Sequence, residues 1–129
     1  MTKRSARVVF LDDSEDLREL MATLLETMVG VECSCFGSLM ELEQHSDEVL
    51  HARVAILDIN LGPDAPDGLD AFNWLMDHGF SGKVLFFTGH ARSNPQVVMA
   101  EQRGAEILEK PIRPDRLISS VTRSLDQAA

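Results

Sequence analysis

Residues 8–13 read Val8-Val9-Phe10-Leu11-Asp12-Asp13: four apolar side chains without alternation, then two carboxylates. A strand with one wet face alternates apolar and polar residues. An unbroken apolar run of strand length is the mark of burial on both faces, as in a parallel sheet covered by helices. The same construction recurs along the chain. Val54-Ala55-Ile56-Leu57 runs into Asp58, Val84-Leu85-Phe86-Phe87 into Thr88, and Ile107-Leu108 into Glu109-Lys110. Val31 to Phe36 supplies a further strand.

Between these runs the apolar period changes to that of a helix. Leu17, Leu20, Met21, Leu24, Leu25 and Met28 recur at helical spacing, with Asp13 or Ser14 as cap and Gly30 as stop. Ser38 opens a shorter second helix through Leu39 and Leu42, and Leu69, Phe72 and Met76 mark a third. Trp74 lies about 140° around that third helix from Leu69 and reads as a partly covered surface side chain. Asn94-Pro95 reads as a cap and first helical residue, with Gly104 closing that helix. Leu117, Ile118, Val121 and Leu125 line a last helix begun by Pro114. Five strands alternating with five helices predict a doubly wound α/β domain, helices on both faces of one parallel sheet.

The length, 129 residues, is that of a single domain, and no repeat, low-complexity segment or internal linker divides it. We therefore expect one domain over 1–129, with no room for an output domain. With 44% hydrophobic and 26% charged residues the chain can bury a core. A net charge of −9 argues against binding nucleic acid or anionic lipid, and Lys3, Arg4 and Arg7 are too few to reverse it. No apolar run approaches the ~20 residues of a membrane span, and no signal peptide precedes Asp12, so a cytoplasmic location is expected. Cys33 and Cys35, two apart on a strand, point to one face and read as buried free thiols poorly placed to bridge each other.

The strand ends carry the chemistry. In a parallel sheet the C-terminal strand ends share one edge, and ligands bind in the crevice outside it. Asp12-Asp13, Asp58, Thr88 and Lys110 therefore converge from four segments. Each alone reads equally well as a cap or a solvated loop residue; four of five strands ending this way is harder to dismiss. Three carboxylates in one crevice repel one another unless a cation neutralises them, and hard oxygen donors suit Mg²⁺. One carboxylate can then act as nucleophile toward a phosphoryl group, with Lys110 and Mg²⁺ balancing its charge and the Thr88 hydroxyl donating to it.

Asp12-Asp13, Asp58, Thr88 and Lys110-Pro111, spread over five βα units, resemble the receiver domain of two-component response regulators, in its single-domain, chemotaxis-regulator-like form. The resemblance implies a flavodoxin-like sheet of order 2-1-3-4-5, an order for which a chemotaxis receiver is itself a standard example. It implies that Asp58 takes a phosphoryl group from a histidine kinase or phosphotransfer histidine. It also implies that Asp13, Asp58 and the backbone carbonyl of Asn60 bind Mg²⁺, with Asp12 acting largely through water. Thr88 and Lys110 would read the phosphoryl group, and Lys110-Pro111 would be cis. A downstream protein would bind the face made by Pro95–Arg103, the strand around Ile107 and the helix from Pro114 to Leu125.

The chain also departs from that family. The loop from Asn60 to Gly68 is about two residues longer than usual and carries Asp64 and Asp67; it reads first as a tolerated surface insertion. Ile107 stands where the family has a switching Tyr or Phe, and the segment from Gly104 to Ile107 is about one residue short. His90, two residues beyond Thr88, reads as a solvated loop histidine, and His45, His51 and His78 support no metal site. The alternative function is a Mg²⁺-dependent phosphatase with an Asp nucleophile. Enzymes of that class place a second Asp two residues later as general acid, and Asn60 cannot serve. A receiver piece of a larger regulator or hybrid kinase, and an unphosphorylated docking module, complete the alternatives. In none of the receiver readings is the chain an enzyme beyond its own phosphorylation and dephosphorylation.

Overall fold

The computed structural model describes residues 7–59, 68–89 and 95–128. Asn60, the rest of the acidic loop to Asp67, His90 and the Asn94 cap lie outside the described residues. The strands are β1 (Arg7–Leu11), β2 (Glu32–Phe36), β3 (Val54–Asp58), β4 (Lys83–Thr88) and β5 (Glu106–Glu109). All pair in parallel, in the order β2-β1-β3-β4-β5. Around them lie α1 (Glu15–Leu24), α2 (Leu39–Glu43), α3 (Ser46–Leu50), α4 (Gly68–Asp77), α5 (Pro95–Gln102) and α6 (Pro114–Ala128).

The continuous apolar runs are explained by two cores, one on each face of the sheet. Val9 and Leu11 of β1 and Ala55 and Leu57 of β3 pack toward α2, α3, α4 and α5, beside Leu42, Val49, Leu75 and Val97. Their neighbours Val8, Phe10, Val54 and Ile56 face the opposite way, toward Met21, Leu25, Leu117 and Val121 of the α1 and α6 layer. Successive strand residues alternate faces, so a strand buried on both sides has no position left for a polar residue until it ends.

Ser14 caps α1 by accepting the Leu17 amide at 3.2 Å, and Glu15 and Asp16 in the first turn favour the helix dipole. The helix then widens into a π turn over Leu25–Val29 before Gly30 ends it at φ 81°, a left-handed conformation that glycine adopts without a Cβ clash.

Some helix expectations change. The short second helix opens at Ser38 as expected, and a further one, α3, follows it after His45 leaves helical geometry (φ −117°, ψ 38°), its ring 5.2 Å from that of Phe36. Leu20, Met28 and Met76 lie outside the core, at 46%, 59% and 42% exposure. On α4 the buried stripe runs through Leu69, Ala71 and Leu75 instead, the small Ala71 facing the sheet. Trp74 is half-buried and stacks on His78 at 4.3 Å. His45, His51 and His78 are exposed, each with Nδ1 within hydrogen-bonding distance of the carbonyl four residues earlier. Cys33 and Cys35 are free but half-buried rather than buried, on β2 at the edge of the described sheet, where they pack against the core beneath α1. No helix among the described residues is long and apolar enough to cross a membrane.

Candidate functional site

The sheet delivers its chemistry to one edge. Asp12 follows β1, Asp58 ends β3 and Thr88 ends β4; these three side chains are 0%, 2% and 1% exposed. Lys110 follows β5, and its backbone amide donates to the Thr88 carbonyl at 2.8 Å, continuing the ladder one residue beyond the strand. The Lys110-Pro111 peptide is cis. Carboxylate oxygens of Asp12, Asp13 and Asp58 lie within 4.8 Å of one another, Asp13 being the exposed member.

Asp12 is held through backbone and side chain alike. Its backbone amide donates to Phe36 at 3.1 Å, and its Oδ1 accepts from the Ser14 amide at 2.9 Å. Its carbonyl accepts from Arg18 Nη1 at 2.8 Å. Arg18 is a positioning residue that the sequence did not single out. The only signal was a cation one turn beyond the Ser14 cap.

Lys110 ties the crevice together. Its Nζ stands 3.1 Å from Asp12 Oδ2 and 3.4 Å from Asp58 Oδ2. The same ammonium lies 5.3 Å from the centre of the Phe87 ring. Three carboxylates face one ammonium, leaving about two negative charges in excess when all are ionised. That excess, on hard oxygen donors two of which are buried, fits one divalent cation of the Mg²⁺ type. Asn60, whose carbonyl the family resemblance adds to this set, lies outside the described residues.

Gly68 stands where the chain returns to the crevice. A Cβ there would come within 2.4 Å of the Asp58 carbonyl oxygen, so only glycine allows α4 to begin this close to the end of β3. Ile107, in the aromatic-switch position, is 6% exposed and belongs to the core on the α5 side.

Burial disfavours the Lys110 ammonium, but Asp58 and Asp12 outweigh that cost and hold its pKa above the ordinary 10.5. A lysine whose pKa is raised by folding contributes stability that is complete below its unfolded value and is lost as pH rises through the folded one. We expect wild type to lose stability above the ordinary lysine range, and Lys110→Met to lack that component. Urea midpoints of both proteins at about pH 9 and about pH 11.5 check this. Parallel curves would show that the ammonium contributes nothing.

The chain matches the response regulator receiver domain family over residues 8–122. Among solved structures, a CheY-like response regulator receiver domain protein from Methanospirillum hungatei JF-1 is 23% identical, with TM-score 0.83 and 96% of each chain covered. The signal receiver domain of a putative LuxO repressor protein from Vibrio parahaemolyticus is 28% identical, with TM-score 0.81, over 98% of this chain and 93% of that one. NtrX from Brucella abortus is 29% identical with TM-score 0.82, over 96% of this chain but 28% of its own. No curated protein sequence matches.

Proposed function

The chain belongs to the response regulator receiver domain family, and from that membership we propose that it is a switch or relay whose Asp58 accepts a phosphoryl group from a phosphohistidine of a histidine kinase or phosphotransfer protein. The observation that carries the reading is Asp58 itself: 2% exposed at the end of a central strand, with the Lys110 ammonium 3.4 Å from its Oδ2. Asp12 is engaged on both oxygens, one accepting from the Ser14 amide and the other beside Lys110.

In the transfer an Asp58 oxygen attacks phosphorus, the phosphorus–nitrogen bond of the donor breaks, and the leaving imidazole keeps the bonding pair and takes a proton. Lys110 offsets the negative charge arriving in an already acidic crevice. Mg²⁺, held by Asp13 and Asp58 with Asp12 through water, would supply charge neutralisation of the phosphoryl oxygens. The reading is of a protein phosphorylated and dephosphorylated on itself, not of an enzyme acting on an outside substrate. A kinase donor implies a cytoplasmic location.

Output requires contacts that differ between the two states. We assign the response to Thr88, whose hydroxyl can donate to a phosphoryl oxygen, and the partner surface to α5, β5 and α6. Val98 and Met99 are exposed apolar residues on α5, at 37% and 45%. Thr88→Ala should still be phosphorylated but lose most of the protection change in α5 on amide hydrogen exchange. An equal response in the variant would assign signalling to another route, for which the acidic loop from Gly62 to Asp67 is the first alternative.

The test is intact mass of the full chain after incubation with an acyl phosphate and Mg²⁺. One phosphoryl adduct, mapped to Asp58 and absent under chelation of the metal, is expected; no adduct, or one mapped elsewhere, would overturn the reading. Calorimetry should show weaker Mg²⁺ binding in Asp13→Ala, and unchanged affinity would move the metal site.

A further inference from the structure

We propose that Phe87 is a positioning residue for the phosphoryl transfer: its ring face holds the Lys110 ammonium at the crevice while the surrounding carboxylates are engaged elsewhere. The proposal rests on Asp58 as acceptor and gives a role to a side chain that this reading leaves unused.

The sheet sets the ring beneath the ammonium. Phe87 is 2% exposed and pairs in register with Asp58 on β3 and Leu108 on β5. Residues in register on parallel strands share a face, and alternation returns Lys110, two beyond Leu108, to that face. The Lys110 amide donates to the Thr88 carbonyl at 2.8 Å, which fixes where its side chain starts. Its Nζ then lies over the ring, 5.3 Å from the centre and within reach of a cation–π contact. Phe10, fully buried in β1, packs its own ring 6.0 Å from that of Phe87 and holds it in place. Gly89 offers Lys110 no side chain to lean on; an added Cβ there would stand 3.9 Å from Lys110 Cβ and Cδ.

The other partners of the ammonium change during the reaction. Asp12 and Asp58 stand 3.1 and 3.4 Å from Nζ, and both belong to the set that fits a divalent cation. Asp58 also gives up its free carboxylate when it takes the phosphoryl group. The π face has no group to titrate or transfer, and it attracts the ammonium throughout. It therefore keeps the positive charge where the incoming phosphoryl oxygens need it.

The experiment compares the wild-type chain with Phe87→Leu and with Phe87 replaced by a trifluorinated phenylalanine, which keeps the ring but weakens its π face. A cavity of about 50 Å³ beside Phe87, shared with Leu108, Ile112 and Leu117, gives the fluorines room. The rate of phosphoryl mass gain from an acyl phosphate in saturating Mg²⁺ should fall about five- to tenfold in both. Mg²⁺ affinity by calorimetry should stay unchanged, because Phe87 is no metal ligand. Without donor, nuclear magnetic resonance should show the Lys110 methylene protons next to Nζ shifted upfield by the ring, with and without Mg²⁺. Phe87→Leu should lose that shift. An unshifted Lys110 signal in wild type, or wild-type rates in either altered protein, would overturn the proposal. So would an equal loss of Mg²⁺ affinity, which marks a general disturbance of the crevice. Wild type without any adduct would overturn the Asp58 reading and this inference together.

Discussion

Incubated with an acyl phosphate and Mg²⁺, Asp58→Asn is expected to gain no phosphoryl mass while wild type gains one group. The amide is nearly isosteric with the carboxylate, so the packing at the end of β3 survives. Asn lacks the anionic oxygen that attacks phosphorus, and this alone removes the reaction. Loss of fold would not explain the result. The substitution takes a buried negative charge away from Asp12 and Asp13, which relieves repulsion, and Lys110 keeps Asp12 at 3.1 Å. Thermal unfolding measured on the same samples should therefore show a variant at least as stable as wild type without metal. A full-strength adduct on Asp58→Asn would move the acceptor to Asp12 or Asp13 and with it the reading of the whole crevice.

The largest effect on stability is expected from Phe86→Ala. Phe86 is 0% exposed in the middle of β4, between Leu57 of β3 and Ile107 of β5 in the sheet register. Its ring lies 5.8 Å from that of Phe72 on α4. Removing such a ring costs about 3–5 kcal/mol through lost burial and the cavity left behind. Against a total of about 5–15 kcal/mol for a domain, that is a large share of the folding free energy. Urea unfolding should show a lower midpoint with an unchanged slope. A loss below about 1 kcal/mol would mean that α4 and α5 collapse onto the vacated space. Val98→Ala, at a site 37% exposed on α5, should change stability little and serves as the control.

The architecture was legible because its cause is local. A strand covered on both faces must be apolar at every position, and Val8–Leu11, Val54–Leu57 and Val84–Phe87 satisfy that within four residues each. The convergence of Asp12, Asp58, Thr88 and Lys110 followed from the same fact, since parallel strands share their C-terminal edge. Helix faces were less legible. Apolar spacing brought in Leu20, Met28 and Met76, because a stripe counted in steps of three and four is wider than the surface a helix can bury. The short helix α3, Ser46–Leu50, was missed, because five residues with one buried apolar side chain, Val49, carry no periodic pattern.

What the amino-acid order by itself determined is the parallel sheet, its helical layers and the identity of the side chains at its functional edge. Each of these depends on runs of only a few residues and on the obligatory right-handed path between parallel strands. Only the tertiary structure decided how those side chains engage one another. It placed one ammonium between Asp12 and Asp58, the Arg18 guanidinium on the Asp12 carbonyl, the Phe87 ring beside Lys110, and the sulfurs of two half-buried cysteines 3.8 Å apart. These contacts depend on ångström-scale distances set by the packing of elements far apart in the chain. Residue spacing does not encode such distances.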